Sequence, residues 1–187
     1  MKPLAKCLLF VAFVLSAQAQ PREGKTRELS ISGSYQNYSS GSGSSSSSAF
    51  LICPRFGIFV VQGLEVEPEF IAMLATGGSA YVLNGNLSYN VIGAEKVVPF
   101  VLLGYGIANT LPLFNVPMTK YEFTVGVLNV GAGLKVFLRD DVALRLEYRF
   151  QNFKGEQKQH ISGLIYSYAR KVDTQLHTVQ FGLSLLL

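Results

Sequence analysis

Hydrophobic and polar residues alternate with a period of two along most of this chain. The alternation is most regular over residues 142–151, where one side carries Val142, Leu144, Leu146, Tyr148 and Phe150. The other side of the same run carries Ala143, Arg145, Glu147, Arg149 and Gln151. A period of two predicts a β-strand, because successive side chains of a pleated strand point to opposite faces. A similar run ends at Leu138, and the charged residues between the two runs predict a tight hairpin turn.

Eight alternating runs of this kind can be placed along the chain. They predict strands at 27–37, 49–60, 64–75, 79–91, 98–109, in a stretch ending at 138, at 142–151 and at 173–187. The connections after the second, fourth and sixth strands are short. Most of the others are long, including the tract 39–48, which contains only serine and glycine, and the segments 110–121 and 152–172. Outer-membrane barrels alternate tight periplasmic turns with longer external loops in this way, and ~9–11 residues cross a bilayer at a tilt.

The first nineteen residues predict a cleaved secretory signal peptide. Lys2 and Lys6 precede a short apolar core, and Ala17-Gln18-Ala19 forms a small-residue cleavage site. Residues 20–26 are then a polar lead-in, and 27–187 form one barrel domain. Removing the leader takes two lysines from the formal charge of +4, and the remaining basic residues do not cluster, so we expect no nucleic-acid partner. No later apolar run approaches the ~18 residues of a spanning helix.

The polar faces of the predicted strands carry charges of both signs in equal number. The cations are Arg55, Lys135, Arg145 and Arg149, and the anions are Glu65, Glu67, Glu69 and Glu147. The interior of an eight-stranded barrel is just filled by side chains, and a buried charge without a partner costs several kcal/mol. We therefore expect these eight residues to form a charge network inside the barrel, with Arg145 reaching Glu67 from the opposite strand. The alternative is that they form the water-exposed face of a soluble sheet.

Large apolar residues occupy the other face of nearly all the predicted strands, and no amphipathic helix is present to cover them. This pattern, the segment VVPFVLLGYGIAN, the hairpin GLKVFLRDDVALRLEYRF and the ending VQFGLSLLL resemble the small outer-membrane β-barrel family of OmpA/OmpX and opacity type. The resemblance implies an all-β, eight-stranded antiparallel up-and-down transmembrane β-barrel with a charged interior. It also implies a monomer in the bacterial outer membrane, surrounded by lipid and inserted by the barrel-assembly machinery, which reads the final strand. The family usually ends on Phe or Tyr, whereas this chain ends on Leu187.

Three prolines fall inside predicted strands, where each removes a backbone donor. We expect Pro99 at a strand start, Pro54 near the outer rim and Pro68 at a bulge.

Two histidines and one cysteine remain as candidates for chemistry after the leader. His160-Ile161-Ser162, followed by Asp173, has the spacing found in outer-membrane hydrolases of the lipid A deacylase type. It lies in the predicted loop 152–172 rather than on a strand, so we expect no catalytic residues. His177 shares the apolar side of its strand and is expected at the membrane interface, while Cys53 has no cysteine partner for a disulfide or a zinc site.

These observations favour a non-enzymatic scaffold that uses no cofactor and no metal. Its external loops would serve adhesion, envelope integrity or the binding of a surface or host partner. A lipid A deacylase-type hydrolase using His160 and Ser162, and a soluble secreted lipocalin-like barrel that binds a ligand, remain as alternatives.

Overall fold

The structure is a computed structural model that describes residues 25–39, 46–75, 78–91, 96–109, 124–160 and 167–187. Eight strands make up nearly all of these residues: β1 (Arg27–Ser39), β2 (Ser46–Val61), β3 (Leu64–Ala75), β4 (Gly78–Asn90), β5 (Val97–Ala108), β6 (Val125–Phe137), β7 (Val142–His160) and β8 (Ser167–Leu186). Each strand pairs antiparallel with its neighbours in sequence, and β1 also pairs with β8. The eight-stranded up-and-down barrel predicted from the alternation is therefore confirmed.

The first and last strands close the sheet into a ring. They pair in register from Glu28 opposite Leu186 to Gly33 opposite Phe181. The final residue adds to this seam, since the Leu187 N–H donates to the Arg27 carbonyl at 2.9 Å. Closure leaves no open sheet edge, which is the condition for a sheet to stand in a medium that offers no hydrogen bonds.

Burial follows the alternation and puts the apolar faces outside. On β5 every second residue is buried, while Val101, Leu103 and Tyr105 between them are 53%, 59% and 63% exposed. Charged and amide side chains occupy the inward positions on most strands. This arrangement is the reverse of a soluble barrel, which turns its apolar faces inward. Among the residues described, no helix is long and apolar enough to span a membrane.

The barrel interior has two layers. Charged side chains fill the half nearer the short turns after β2, β4 and β6. The half nearer the other connections holds a cluster of buried apolar side chains, called here the apolar cap: Ala49, Leu51, Cys53, Ile71, Met73, Ala80, Val82, Ala108, Val125, Val127, Phe153, Val172 and Leu176. Cys53 is a free, buried member of this cluster.

The predicted loop 152–172 is wrong, because both flanking strands continue into it. β7 runs on to His160 and β8 begins at Ser167, so only residues 161–166 between them lie outside the description. The alternation persists there, with Phe153 buried and Lys154 exposed. It is less visible in the sequence because the outward positions change from aliphatic to charged residues. The leader, residues 40–45 of the tract 39–48 and the whole segment 110–121 lie outside the described residues.

Two of the three prolines are placed differently from expectation. Pro99 is the third residue of β5, close to the strand start. Pro54, however, lies in the middle of β2 opposite Ile31 rather than at the rim. Pro68 pairs in register with Gly85 on β4, and the bulge of this region lies between Phe59 and Val61 instead. Neither Pro54 nor Pro68 has a paired residue across the seam between β2 and β3 in the described sheet.

Candidate functional site

The structure places all eight charged residues singled out in the sequence inside the barrel, each with at most 4% of its surface exposed. They come from four strands: Arg55 on β2, Glu65, Glu67 and Glu69 on β3, Lys135 on β6, and Arg145, Glu147 and Arg149 on β7. All lie at inward positions of the alternation, so successive members on one strand are two residues apart.

Arg145 connects both sides of the barrel interior. Its Nη2 lies 3.0 Å from the Glu67 Oε2 on β3, the strand four places away in the ring. Its Nε donates to the Glu147 Oε2 at 3.0 Å. The guanidinium also lies over the Phe100 ring, 4.4 Å from the centroid, as cation–π contacts require. The side chain is thus held by charge on two sides and by an aromatic face.

Arg55 and Arg149 share two carboxylates. Both arginines contact Glu69 and both contact Glu147, which gives a closed ring of alternating charges. The amide of Asn84 donates to the Glu69 Oε2 at 2.8 Å, and Arg55 donates to the Gln180 Oε1 at 2.6 Å. Because each charge has several partners, no member of this ring depends on a single ion pair.

Lys135 joins a carboxylate that the sequence analysis missed. Its Nζ lies 2.6 Å from the Glu28 Oε2 and 3.0 Å from the Glu65 Oε2. Glu28 is 1% exposed, and its other oxygen lies 3.5 Å from Arg145. Its position two residues before Ser30, on the polar side of the first strand, could have identified it.

With Glu28 as the ninth member, the described interior holds five carboxylates, Glu28, Glu65, Glu67, Glu69 and Glu147, against the four cations. The expected balance of four against four is therefore wrong, and the charge network has an excess of acid.

Glycines on neighbouring strands make room for these side chains to lie flat against the wall. A Cβ added at Gly57 on β2 would lie 1.7 Å from the Glu65 Oε1. On β5 a Cβ at Gly104 would come within 1.9 Å of the Asn86 Oδ1. The width of the interior at these levels therefore depends on the missing side chains of the glycines as well as on the charged side chains.

Of the candidate catalytic residues, the described structure places only His160 and Asp173, and it does not bring these two positions together. His160 is the last residue of β7 rather than a loop residue, and Ser162 lies outside the described part of the chain. Asp173 pairs with Lys154, whereas His160 pairs with Ser167, which lies six residues before Asp173 on β8. At ~3.3 Å per residue, Asp173 is roughly 20 Å from His160 along the hairpin, farther apart than the members of a catalytic pair. No group of His, Cys, Asp and Glu able to hold a metal occurs among the described residues.

The outer surface of β7 and β8 changes in character along its length. It is aliphatic at Leu144, Leu146 and Leu183, and aromatic where Tyr148 and Phe150 meet His177. The Tyr148 hydroxyl and the His177 Nδ1 are 2.7 Å apart. Beyond this level the outward positions are polar or charged, with Asn152 opposite Gln175, Lys154 opposite Asp173 and Glu156 opposite Lys171. Aromatic residues collect at the edge of the apolar band of a membrane barrel, so the change marks where that band ends.

Comparison with known proteins agrees with this geometry. A family model described as outer membrane protein beta-barrel domain matches residues 7–185. The N-terminal β-barrel domain of Pseudomonas aeruginosa OprF superposes with a TM-score of 0.58 at 12% identity, over 88% of this chain and 100% of that one. Neisserial surface protein A (NspA) gives 0.57 at 12% identity, over 86% and 97%. A de novo designed transmembrane β-barrel gives 0.54 at 11% identity, over 90% and 100%. No curated protein matches the sequence.

Proposed function

Because this chain belongs to the outer membrane protein beta-barrel family, we propose that it is a non-enzymatic scaffold of the bacterial outer membrane. Its role is to display the segments that connect its strands on the outer side, for adhesion, envelope integrity or the binding of a surface or host partner. It reaches the membrane through a cleaved signal peptide and the barrel-assembly machinery, and acts as a monomer surrounded by lipid.

The observation that carries this proposal is the filled interior. The charge network occupies one half of the barrel, and Arg145, Arg149, Glu147 and Phe153 within the interior are at most 2% exposed. The apolar cap occupies the other half. Eight strands leave room for side chains and no aqueous channel, so transport through the described interior has no route. The surfaces outside the membrane are what remains for function.

The extension of β7 and β8 supports the display role. The Phe150–His177 pair lies at the aromatic level, and the hairpin continues to His160 and Ser167 beyond it. Ten residues extend roughly 33 Å along the strand direction at ~3.3 Å each. Even with the tilt of the strands, this places the end of the hairpin well outside the apolar band. Cross-strand pairs of opposite charge, such as Lys154 with Asp173, stabilise a sheet exposed to water.

The hydrolase alternative is not favoured by this geometry. His160 stands at the far end of the extension, away from the level where lipid ester bonds lie, and Asp173 is roughly 20 Å away along the strand at ~3.3 Å per residue. We expect Ser162→Ala to leave the acylation pattern of lipid A unchanged in cells that express the protein. The test is mass spectrometry of lipid A extracted from cells that express the native chain and from cells that express the variant. A deacylated species found only with the native chain would favour the hydrolase.

Epitope insertion tests the scaffold and its orientation. One epitope is placed after Gly41, in the serine and glycine tract, and the matched control after Asp140, in the exposed turn between β6 and β7. We expect antibody to label the first on intact cells and the second only after the outer membrane is permeabilised. Heat-modifiable migration on gels checks that both variants fold. Recovery of the protein as a soluble periplasmic species, or labelling of the Asp140 epitope on intact cells, would contradict the proposal.

A further inference from the structure

The outer wall of the barrel has an apolar groove where β2 and β3 meet. Its volume is about 370 Å³, and its sides are formed by Leu29, Phe56, Phe70 and Leu83 with Pro54 and Pro68 between them. The chain at Arg55, Glu69 and Asn84 forms its floor. The side chains of these three residues are buried inside the barrel, so the floor of the groove is main chain.

The groove exists because three small outward residues lie close together. Pro54 and Pro68 have short rings at positions where other outward residues carry long side chains, and they leave the seam between β2 and β3 unpaired at both places. Gly85 lies opposite Pro68 on β4, and a Cβ added there would meet no atom within 4 Å. Gly85 is therefore an open outward position beside the groove.

The position of the groove decides what can enter it. Pro68 is four residues from the start of β3, and Pro54 is seven from the end of β2. With ~3.3 Å per residue and a tilt of ~40°, the groove lies roughly 10–18 Å above the short turn, inside an apolar band ~25 Å tall. The residues around it are exposed: Leu29 is 50% exposed, Leu83 46%, and Phe56 and Phe70 38% each. In a membrane, the surrounding medium at this depth is lipid acyl chain.

We propose that this groove binds one acyl chain of a phospholipid from the leaflet on the turn side. Lipid tails are as apolar as leucine, so the hydrophobic effect does not favour one lipid-facing site over another. What distinguishes the groove is packing, because a chain lying in it contacts side chains on both sides as well as the floor, and an unfilled gap loses those contacts. The inference requires the barrel to be in a membrane and is independent of what the outer segments bind.

Filling the groove tests the proposal. In Gly85→Leu the new side chain would stand beside Pro68 in open space, and the backbone of Gly85 has no positive φ to strain it. Ala132→Leu is the matched control, since it places the same side chain at an exposed outward position on β6. Each chain is folded into vesicles of palmitoyl-oleoyl phosphatidylglycerol, extracted into detergent and measured by native mass spectrometry. We expect one retained phospholipid per native barrel, the same for Ala132→Leu, and roughly tenfold weaker binding for Gly85→Leu, as the loss of a set of packing contacts produces.

A second variant keeps the test decisive if Gly85→Leu does not fold. Phe56→Ala removes a wall of the groove from an outward position, and it should lower lipid retention as well. A folded native chain that retains no phospholipid would overturn the proposal of lipid binding in the groove. Equal retention by the native chain and by a folded groove variant would overturn it as well. A native chain that does not fold into vesicles would overturn the membrane scaffold and the groove together. Heat-modifiable migration separates the two failures.

Discussion

Arg145 contacts carboxylates from three strands, Glu28 on β1, Glu67 on β3 and Glu147 on β7. A charge in such a position has no access to water, so its stability depends wholly on its partners. Removing one member of a buried ion pair is costly because the other charge is left uncompensated. Single substitutions at these positions therefore test the charge network most directly.

We expect Arg145→Glu to lower the free energy of unfolding by roughly 3–5 kcal/mol, because it adds a sixth acid to the charge network, next to three others. Adding Glu67→Arg should restore only part of this, since Glu28 and Glu147 still face position 145. Urea unfolding in lipid vesicles measures both. Arg139→Glu is the control: the Arg139 side chain is 78% exposed, and reversal there should cost under about 1 kcal/mol. Equal losses at positions 139 and 145 would contradict a buried network.

Glycines beside the charge network provide a second test. In Gly57→Ala the new methyl would lie 1.7 Å from the Glu65 Oε1, so the carboxylate would have to leave its place near Lys135. We expect a loss of about 1–3 kcal/mol in the same unfolding measurement, as overpacking of a core produces. Gly85→Ala serves as the control because its Cβ meets nothing within 4 Å, and it should change stability by less than about 0.5 kcal/mol. A larger loss at Gly85 than at Gly57 would show that the packing inside the barrel differs from that described.

The period of two alone could predict that the eight charged residues lie on the polar faces of their strands. That these faces point inward was predicted from the large apolar residues on the other faces, which no amphipathic helix covers. The Arg145–Glu67 pair could also be predicted, because β3 and β7 lie four places apart in the ring. The other partners could not, because ion pairs across the interior depend on the stagger of all eight strands. Glu28 was missed since the polar side of the first strand otherwise carries only serines and glutamine, and a lone acid did not stand out. The role of Gly57 depends on which way the Glu65 carboxylate turns, which no periodicity reports.

At the scale of elements, β7 and β8 show why boundaries were harder to predict than strands. Inside the membrane one face must be apolar, so the alternation is strong. Above Phe150 and His177 both faces can be polar, and the pattern weakens although the strands continue. Pro54 and Pro68 were expected at a rim or a bulge, because a proline in the middle of a sheet removes a hydrogen bond. Both are tolerated at the same seam, where each still pairs with its other neighbour, Ile31 or Gly85.

Arginine substitutions along the outward side of β8 should measure the edge of the apolar band. Phe181, five residues before the end of β8, lies near the middle of the apolar band. Phe181→Arg should therefore lower the free energy of unfolding by about 2–4 kcal/mol in lipid vesicles. Gln175 is outward and lies beyond the aromatic level at His177, so Gln175→Arg should cost about 0–1 kcal/mol. Similar losses at both positions would show that the hairpin remains in the membrane and does not project from it.

At the scale of the whole molecule, the ring of eight strands and the filled interior act together. Each strand pairs on both sides, and side chains from opposite strands meet across the centre. We expect the purified protein to show no steady conductance in planar bilayers, since the charge network and the apolar cap both obstruct the lumen. A reproducible single-channel current from the native chain would contradict this. Arg139→Glu, which changes an exposed turn, should behave like the native chain.

The apolar cap also has a consequence for how the protein can change over time. It places a layer of low dielectric between the ionised groups below it and the connections above it, beginning at Ala49 and Leu51 beside the serine and glycine tract. Charges gained or lost in those connections are screened by water, and the thickness of the cap separates them from the ion pairs, so they perturb those pairs little. Substitutions in the connections can therefore accumulate, because each one changes stability only near its own position. The fold is therefore suited to the grafting of foreign sequences into its connections by an engineer.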